Sequence, residues 1–143
     1  MSILKKLSLV VVLLLFVSVS MAQMAVVSYM RLEGSAADYL EVEKKWKKMH
    51  EELIKAGNSD GWQLFEVMFA GQESPYHYIT VNHYTDMDQY EKDYEGGFEA
   101  LYKKVFPEGT LEDLFKATED SRVLTHNEVF WMDDQATSEK DTK

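Results

Sequence analysis

The sequence contains no cysteine, which excludes disulfides, thiolate nucleophiles, Cys-ligated metals and a lipid-modified N-terminal cysteine. Basic residues are scarce: 15 Lys and Arg stand against 25 Asp and Glu, for a formal net charge of −10. Nucleic acid and anionic membrane surfaces both demand a basic face, so neither is expected as a partner. Beyond residue 22 no apolar run is long enough to span a bilayer. Metal motifs are missing too. His50-Glu51-Glu52 lacks the second histidine, four residues on, that a zincin helix needs. His77 and His83, six residues apart in one strand, are separated by roughly 20 Å and cannot share an ion. No metal site is expected.

What the chain does have begins with a leader. Lys5-Lys6 precede the apolar run Leu7–Val17, and Ser20-Met21-Ala22 supplies a small-x-small cleavage pattern. Residues 1–22 therefore read as a signal peptide with the mature chain starting at Gln23, in a periplasm or outside the cell. The apolar run falls short of the ~20 residues a spanning helix needs. Cleavage leaves 121 residues and moves the charge to −12, a size that suits one domain. Its 45% hydrophobic and 13% aromatic content can fill one core.

Alternation and helical periodicity divide that domain, residues 23–132, into elements. Met24–Leu32 reads as a first strand. Ser35 begins a helix whose apolar stripe is Tyr39, Val42, Trp46, Met49 and Leu53, ended by Gly57. Trp62–Ala70 and Tyr76–Tyr84 read as an antiparallel hairpin. A helical stripe from Met87 to Val105 is interrupted at Gly96-Gly97, giving a kink or two helices, and Thr110 starts a further short helix. Arg122–Met132 is the last strand, and residues 133–143 form a polar, disordered tail. Gly57-Asn58-Ser59-Asp60-Gly61 matches a nucleophile elbow in letters only. It leads from helix to strand, the reverse of the required order.

The order β-α-β-β-α-(α)-β predicts an α+β fold: a four-stranded antiparallel sheet with helices on one face. Over Met24–Met132 this order resembles the dimeric α+β barrel superfamily, whose subunits are ferredoxin-like. Through Glu43-Lys44-Lys45-Trp46 and Gly61-Trp62 the chain is also similar to small exported bacterial proteins of unassigned activity. The resemblance implies a homodimer packed back to back, with a pocket between the sheets. The alternative is a monomer whose third helical segment or tail covers the sheet. Superfamily members include cofactor-free monooxygenases, isomerases, haem enzymes and noncatalytic domains, so fold does not choose a function. No cofactor is predicted. Haem is the lesser alternative, with His126 or His77 as axial ligand, but the Asn-Trp-His set of haem-degrading members finds no match.

On the face expected to be open, strand two carries Trp62, Leu64, Glu66 and Met68, and strand three carries Tyr78, Thr80 and Asn82. The last strand adds His126 and Glu128, in parity with Leu124 and Phe130. A carboxylate among apolar groups can work near neutral pH, and histidine titrates there already. Trp62, Glu66, Tyr78, Asn82 and His126 are thus the candidate ligand-binding residues for a small polar aromatic or carbonyl compound, with Glu66 and His126 the candidates for proton transfer. One bulge in the last strand would turn Thr125 and Asn127 to the pocket and remove His126. The competing reading is a noncatalytic exported dimer whose polar groups form an interface layer.

Overall fold

The computed structural model describes residues 23–94 and 97–133. The expected leader (1–22) and nearly all of the expected tail (134–143) lie outside the described residues. Strand β1 (Met24–Leu32) comes first. Helix α1 (Ala36–Lys55) follows because Ser35 Oγ accepts the Asp38 amide at 3.1 Å, satisfying a donor that a helix start leaves free. Tyr39, Val42, Met49 and Leu53 of the expected stripe are buried. Gly57, at φ +76°, ends the helix in the left-handed geometry, and the Asn58 amide donates back to the Leu53 carbonyl at 2.9 Å.

Strands β2 (Gly61–Glu66) and β3 (Tyr78–Tyr84) form the antiparallel hairpin. β2 is shorter than expected. The chain turns at Met68 and Phe69, where Phe69 takes φ +62° and stands 97% exposed, so alternation along the strand ends at Glu66. Three helices come next: α2 (Met87–Tyr94), α3 (Phe98–Val105) and α4 (Leu111–Ser121). Gly97 caps α3, so the double glycine separates two helices rather than kinking one. Thr110 Oγ1 accepts the Asp113 amide at 3.1 Å and starts α4. Strand β4 (Arg122–Trp131) completes the sheet.

The sheet order is β2-β3-β1-β4, with every neighbour antiparallel. This is the four-stranded ferredoxin-like α+β architecture expected from the element order. Helices α1, α3 and α4 share a core of Val42, Met49, Tyr102, Leu111 and Leu114. Tyr39 of α1 packs with Met30 and Tyr78 and so ties the helical layer to the sheet. Buried positions alternate along both central strands, at Met24, Val26 and Met30 and at Tyr78, Thr80 and Tyr84. Register places Trp62, Leu64 and Glu66 on that same side.

Here the structure reverses an expectation. The side that carries Trp62, Tyr78, Thr80 and Asn82 is the one the helices cover, not the open one. The bare side carries Val27, Tyr29, Phe65, Ile79 and Val81. Alternation sorts residues into two sides, but both sides here hold large apolar groups, so composition does not say which is covered. The bulge weighed for the last strand is present. Leu124 pairs with Met30 and His126 with Tyr29, leaving Thr125 as the extra residue. Leu124 and Asn127 therefore face the helices, while His126, Glu128 and Phe130 face away from them.

Candidate functional site

A cavity of about 460 Å³ lies between the sheet and the helical layer, within the ~300–1,000 Å³ range of small-molecule sites. Trp62 of β2 and Thr80 and Asn82 of β3 form its floor, and Leu124 and Asn127 of β4 close one side. Glu43, Trp46 and His50 of α1, successive turns of one helix, form the roof with Phe98 and Phe115. This cavity lies within a single subunit and is distinct from the pocket expected between two packed sheets. A shallower surface groove of about 580 Å³ runs between α1 and β2 and shares Glu43 and Trp62 with the cavity. Its remaining charged groups, Lys44 and Lys47, are exposed, so the enclosed chemistry belongs to the cavity.

The aromatic walls are held in place. The His50 ring lies nearly parallel to Trp62, centroids 5.6 Å apart and planes at 13°. Trp46 contacts Phe115 at 5.9 Å and Phe98 edge-on at 6.3 Å. Its indole N–H donates to Thr118 Oγ1 at 2.9 Å, which anchors the polar end of the ring and leaves its apolar body to the wall. Together these rings make flat surfaces suited to a planar guest.

Polar groups in and near the cavity lack partners. Among the described residues, Asn82 Oδ1 and His50 Nδ1 are buried side-chain atoms with no hydrogen bond. Each such atom costs about 1–3 kcal/mol when water is excluded and nothing replaces it. Burial pushes the His50 pKa down to about 4, so the imidazole is neutral at pH 7. Glu43 is 3% exposed and accepts from Arg122 Nε at 3.2 Å. Burial raises its pKa, and the Arg122 charge opposes that rise. Removing one partner of such a buried pair costs about 3–5 kcal/mol. Tyr39 lies behind Glu43; burial first and then the Glu43 charge push its phenol pKa up, and its hydroxyl interacts with the Glu43 carboxylate without a well-aligned hydrogen bond.

The five residues expected to meet in one pocket divide three ways. Trp62 and Asn82 line the cavity. Tyr78 and Glu66 share its side of the sheet but sit beyond it. Tyr78 packs on Tyr39 with centroids 4.6 Å apart, and burial and then the Glu66 charge raise its pKa. Glu66 pairs with Tyr78 at the end of β2 and is exposed, not enclosed by apolar groups. His126 is on the opposite side because of the bulge. There its Nε2 lies 3.1 Å from Glu128 Oε1, and Tyr29 donates to Glu128 Oε2 at 3.1 Å. Hydrogen bonds from His126 and Tyr29 lower the Glu128 pKa.

The histidines weighed as axial haem ligands do not serve the cavity. His77 Nδ1 accepts the Leu32 amide at 3.1 Å, and its Nε2 reaches the Gly71 carbonyl at 3.2 Å. His126 is on the far side of the sheet. No three His, Asp or Glu side chains among the described residues are grouped to hold a metal.

Four residues that make the site were not assigned to a pocket from sequence: Glu43, Trp46, His50 and Arg122. A signal for three of them was present. The apolar stripe on α1 has a parallel track at positions 39, 43, 46, 50 and 53, equally valid at three- and four-residue spacing. On that track Glu43 and His50 replace Val42 and Met49.

No protein-family model matches the sequence, and no curated protein matches it. Solved structures do resemble the fold. The crystal structure of HapK from Hahella chejuensis superimposes with a TM-score of 0.54 at 14% identity, over 80% of this chain and 97% of that one. SnoaB, a cofactor-independent oxygenase from Streptomyces nogalater, gives a TM-score of 0.49 at 10% identity, over 82% of this chain and 100% of that one. The likeness to HapK is one of fold: a four-stranded antiparallel sheet with helices on one face.

Proposed function

We propose that this chain binds a flat, aromatic-bodied small molecule in the cavity between sheet and helices, as an exported homodimer. One observation carries the reading: aromatic walls line a partly open cavity of about 460 Å³ beside buried polar atoms of Asn82 and His50 that the described residues leave unpaired. Native proteins rarely keep such atoms without a reason, and a ligand is one. Binding in this form uses side chains alone and needs no metal or cofactor. The dimer is supported by the bare side of the sheet, where Phe65 and Phe130 are about half exposed (49% and 47%). A second copy packed back to back would cover them. Export rests on the leader.

Native mass spectrometry of the protein from its own host tests all three parts. The expected species is a dimer of chains starting at Gln23 that retains a small molecule. Trp62→Ala removes half of the Trp62–His50 stack and is expected to weaken retention at least about tenfold, equivalent to roughly 1.4 kcal/mol. A protein that retains nothing, and whose Trp46 and Trp62 fluorescence is unchanged by any planar arene, is a noncatalytic interaction module instead.

A further inference from the structure

Asn82 and Arg122 line the same cavity and complement one another. Asn82 Oδ1 is a buried acceptor without a donor among the described residues. Arg122 has the opposite imbalance. A guanidinium carries five N–H donors, and a carboxylate is usually gripped by two of them in parallel. Arg122 gives Glu43 one, from Nε at 3.2 Å, and directs Nη1 at the Met30 sulfur. A thioether is a weak acceptor. Donor capacity therefore remains on a residue of the cavity wall.

The charge of that wall limits what can meet it. Glu43 neutralises Arg122, and His50 is uncharged at pH 7. An anionic ligand would bring a second negative charge toward the Glu43 carboxylate, which is itself buried. A neutral carbonyl oxygen accepts from the guanidinium without that repulsion.

Spacing adds a third constraint. Asn82 pairs with Val26 of β1, and the Arg122 head group is held at Met30, four residues farther along that strand. Four residues at ~3.3 Å each separate the two levels by roughly 13 Å, less the reach of the side chains. The two polar groups thus sit toward opposite ends of the cavity, with the rings of Trp62, His50 and Trp46 among the walls that enclose it.

Resting on the reading of this cavity as a small-molecule site, we infer that its ligand is a neutral fused-ring arene with a carbonyl at one end and a hydroxyl or N–H at the other. Arg122 donates to the carbonyl, and the hydroxyl or N–H donates to Asn82 Oδ1. Glu43 acts as the positioning residue that holds the guanidinium.

Four naphthalenes test this by titration calorimetry on the full chain: 6-hydroxy-2-acetylnaphthalene, 2-acetylnaphthalene, 6-hydroxy-2-naphthoate and 2-ethylnaphthalene. The doubly substituted ketone is expected to bind about tenfold tighter than 2-acetylnaphthalene and about 100-fold tighter than 2-ethylnaphthalene, at one hydrogen bond per factor of ten. The carboxylate is expected to bind more weakly than its ketone counterpart. Asn82→Leu should erase the preference for the hydroxyl alone. Arg122→Met strands Glu43, so Glu43→Gln/Arg122→Met is the variant of choice, and it should erase the preference for the carbonyl alone. If that variant does not fold, the four affinities of the unaltered chain decide. Equal binding of ketone and ethyl compounds, or tighter binding of the carboxylate, overturns the inference while leaving the cavity a binding site. Failure of all four to bind, 2-ethylnaphthalene included, removes the binding reading itself and this inference with it.

Discussion

The two sides of the sheet differ in how completely they pair their polar groups. On the bare side, where water could serve them, side chains are paired within the chain: His83 Nε2 with Gln63 Oε1 at 2.9 Å, and Tyr29 and His126 with the two oxygens of Glu128. On the helix-covered side Arg122 pairs with Glu43 and Ser28 with Asn127, but the buried Asn82 Oδ1 has no partner among the described residues, and neither does His50 Nδ1 in the roof above it. Folding alone favours the reverse arrangement. On the reading proposed above, the bare side packs against a second copy, whereas the unpaired atoms of the covered side meet a guest. It also separates two questions, assembly and binding, that can be broken independently.

The largest effect is expected from a charge at the centre of the bare side. Val81 sits there in a central strand, flanked by Val27 of β1 and Gln63 of β2. If two copies pack through this side, Val81→Lys buries an ammonium in their interface and should weaken the dimer by about 100-fold or more. Sedimentation velocity should then show monomer, with affinity for planar ligands retained. A wild-type chain that is already monomeric at high micromolar concentration would remove the role given to this side.

The same comparison shows what was legible in sequence and what was not. Local rules worked where one interaction decides the outcome: the Ser35 and Thr110 caps, the left-handed Gly57, and the buried stripe from Tyr39 to Leu53. They worked less well where the answer depends on a distant element. Both sides of β2 and β3 carry aromatic or branched residues, and only the packing of α1, α3 and α4 shows which side is covered. His126 illustrates the sensitivity. A single extra residue, Thr125, whose hydroxyl donates to the Tyr29 carbonyl at 3.1 Å, moves it from one side to the other. Glu43 and His50 were hidden differently: charged and titratable residues on a helix are normally solvated, and these are retained inside by Arg122 and Trp62.

An effect of similar size follows from the His50 pKa. It falls from 6.5 to about 4 on folding, so between those values the unfolded chain binds a proton that the folded one refuses. Stability must therefore decline as pH falls from 6.5 toward 4 and level off below, for a total of about 3 kcal/mol. Thermal melts at pH 7, 5.5 and 4 should show the loss, and His50→Leu should flatten this part of the profile. An unchanged slope in the variant would place the acid sensitivity elsewhere. Ligand affinity should hold above pH 6.5, because the cavity wall carries no net charge there.

The smallest effect is the one that best distinguishes a cavity from a core. Asn82 Oδ1 and the Tyr39 hydroxyl are both buried without a well-aligned hydrogen bond, but only Asn82 lines the cavity, and the phenol has the Glu43 carboxylate beside it. Replacing each with an apolar residue of similar size removes an unsatisfied polar atom, and such changes are neutral or stabilising by about 1 kcal/mol. Tyr39→Phe should therefore raise the melting temperature slightly and leave ligand affinity unchanged. The Glu43 charge acts on this phenol, so destabilisation of similar size in Tyr39→Phe would mean that the hydroxyl is supporting the carboxylate after all. Asn82→Leu should give a comparable gain in stability and a loss of affinity of about tenfold for hydroxyl-bearing arenes. Parallel behaviour of the two variants, with affinity untouched in both, would make Asn82 another imperfection of the core. Divergence in affinity alone, at matched stability, assigns the unpaired amide to the ligand.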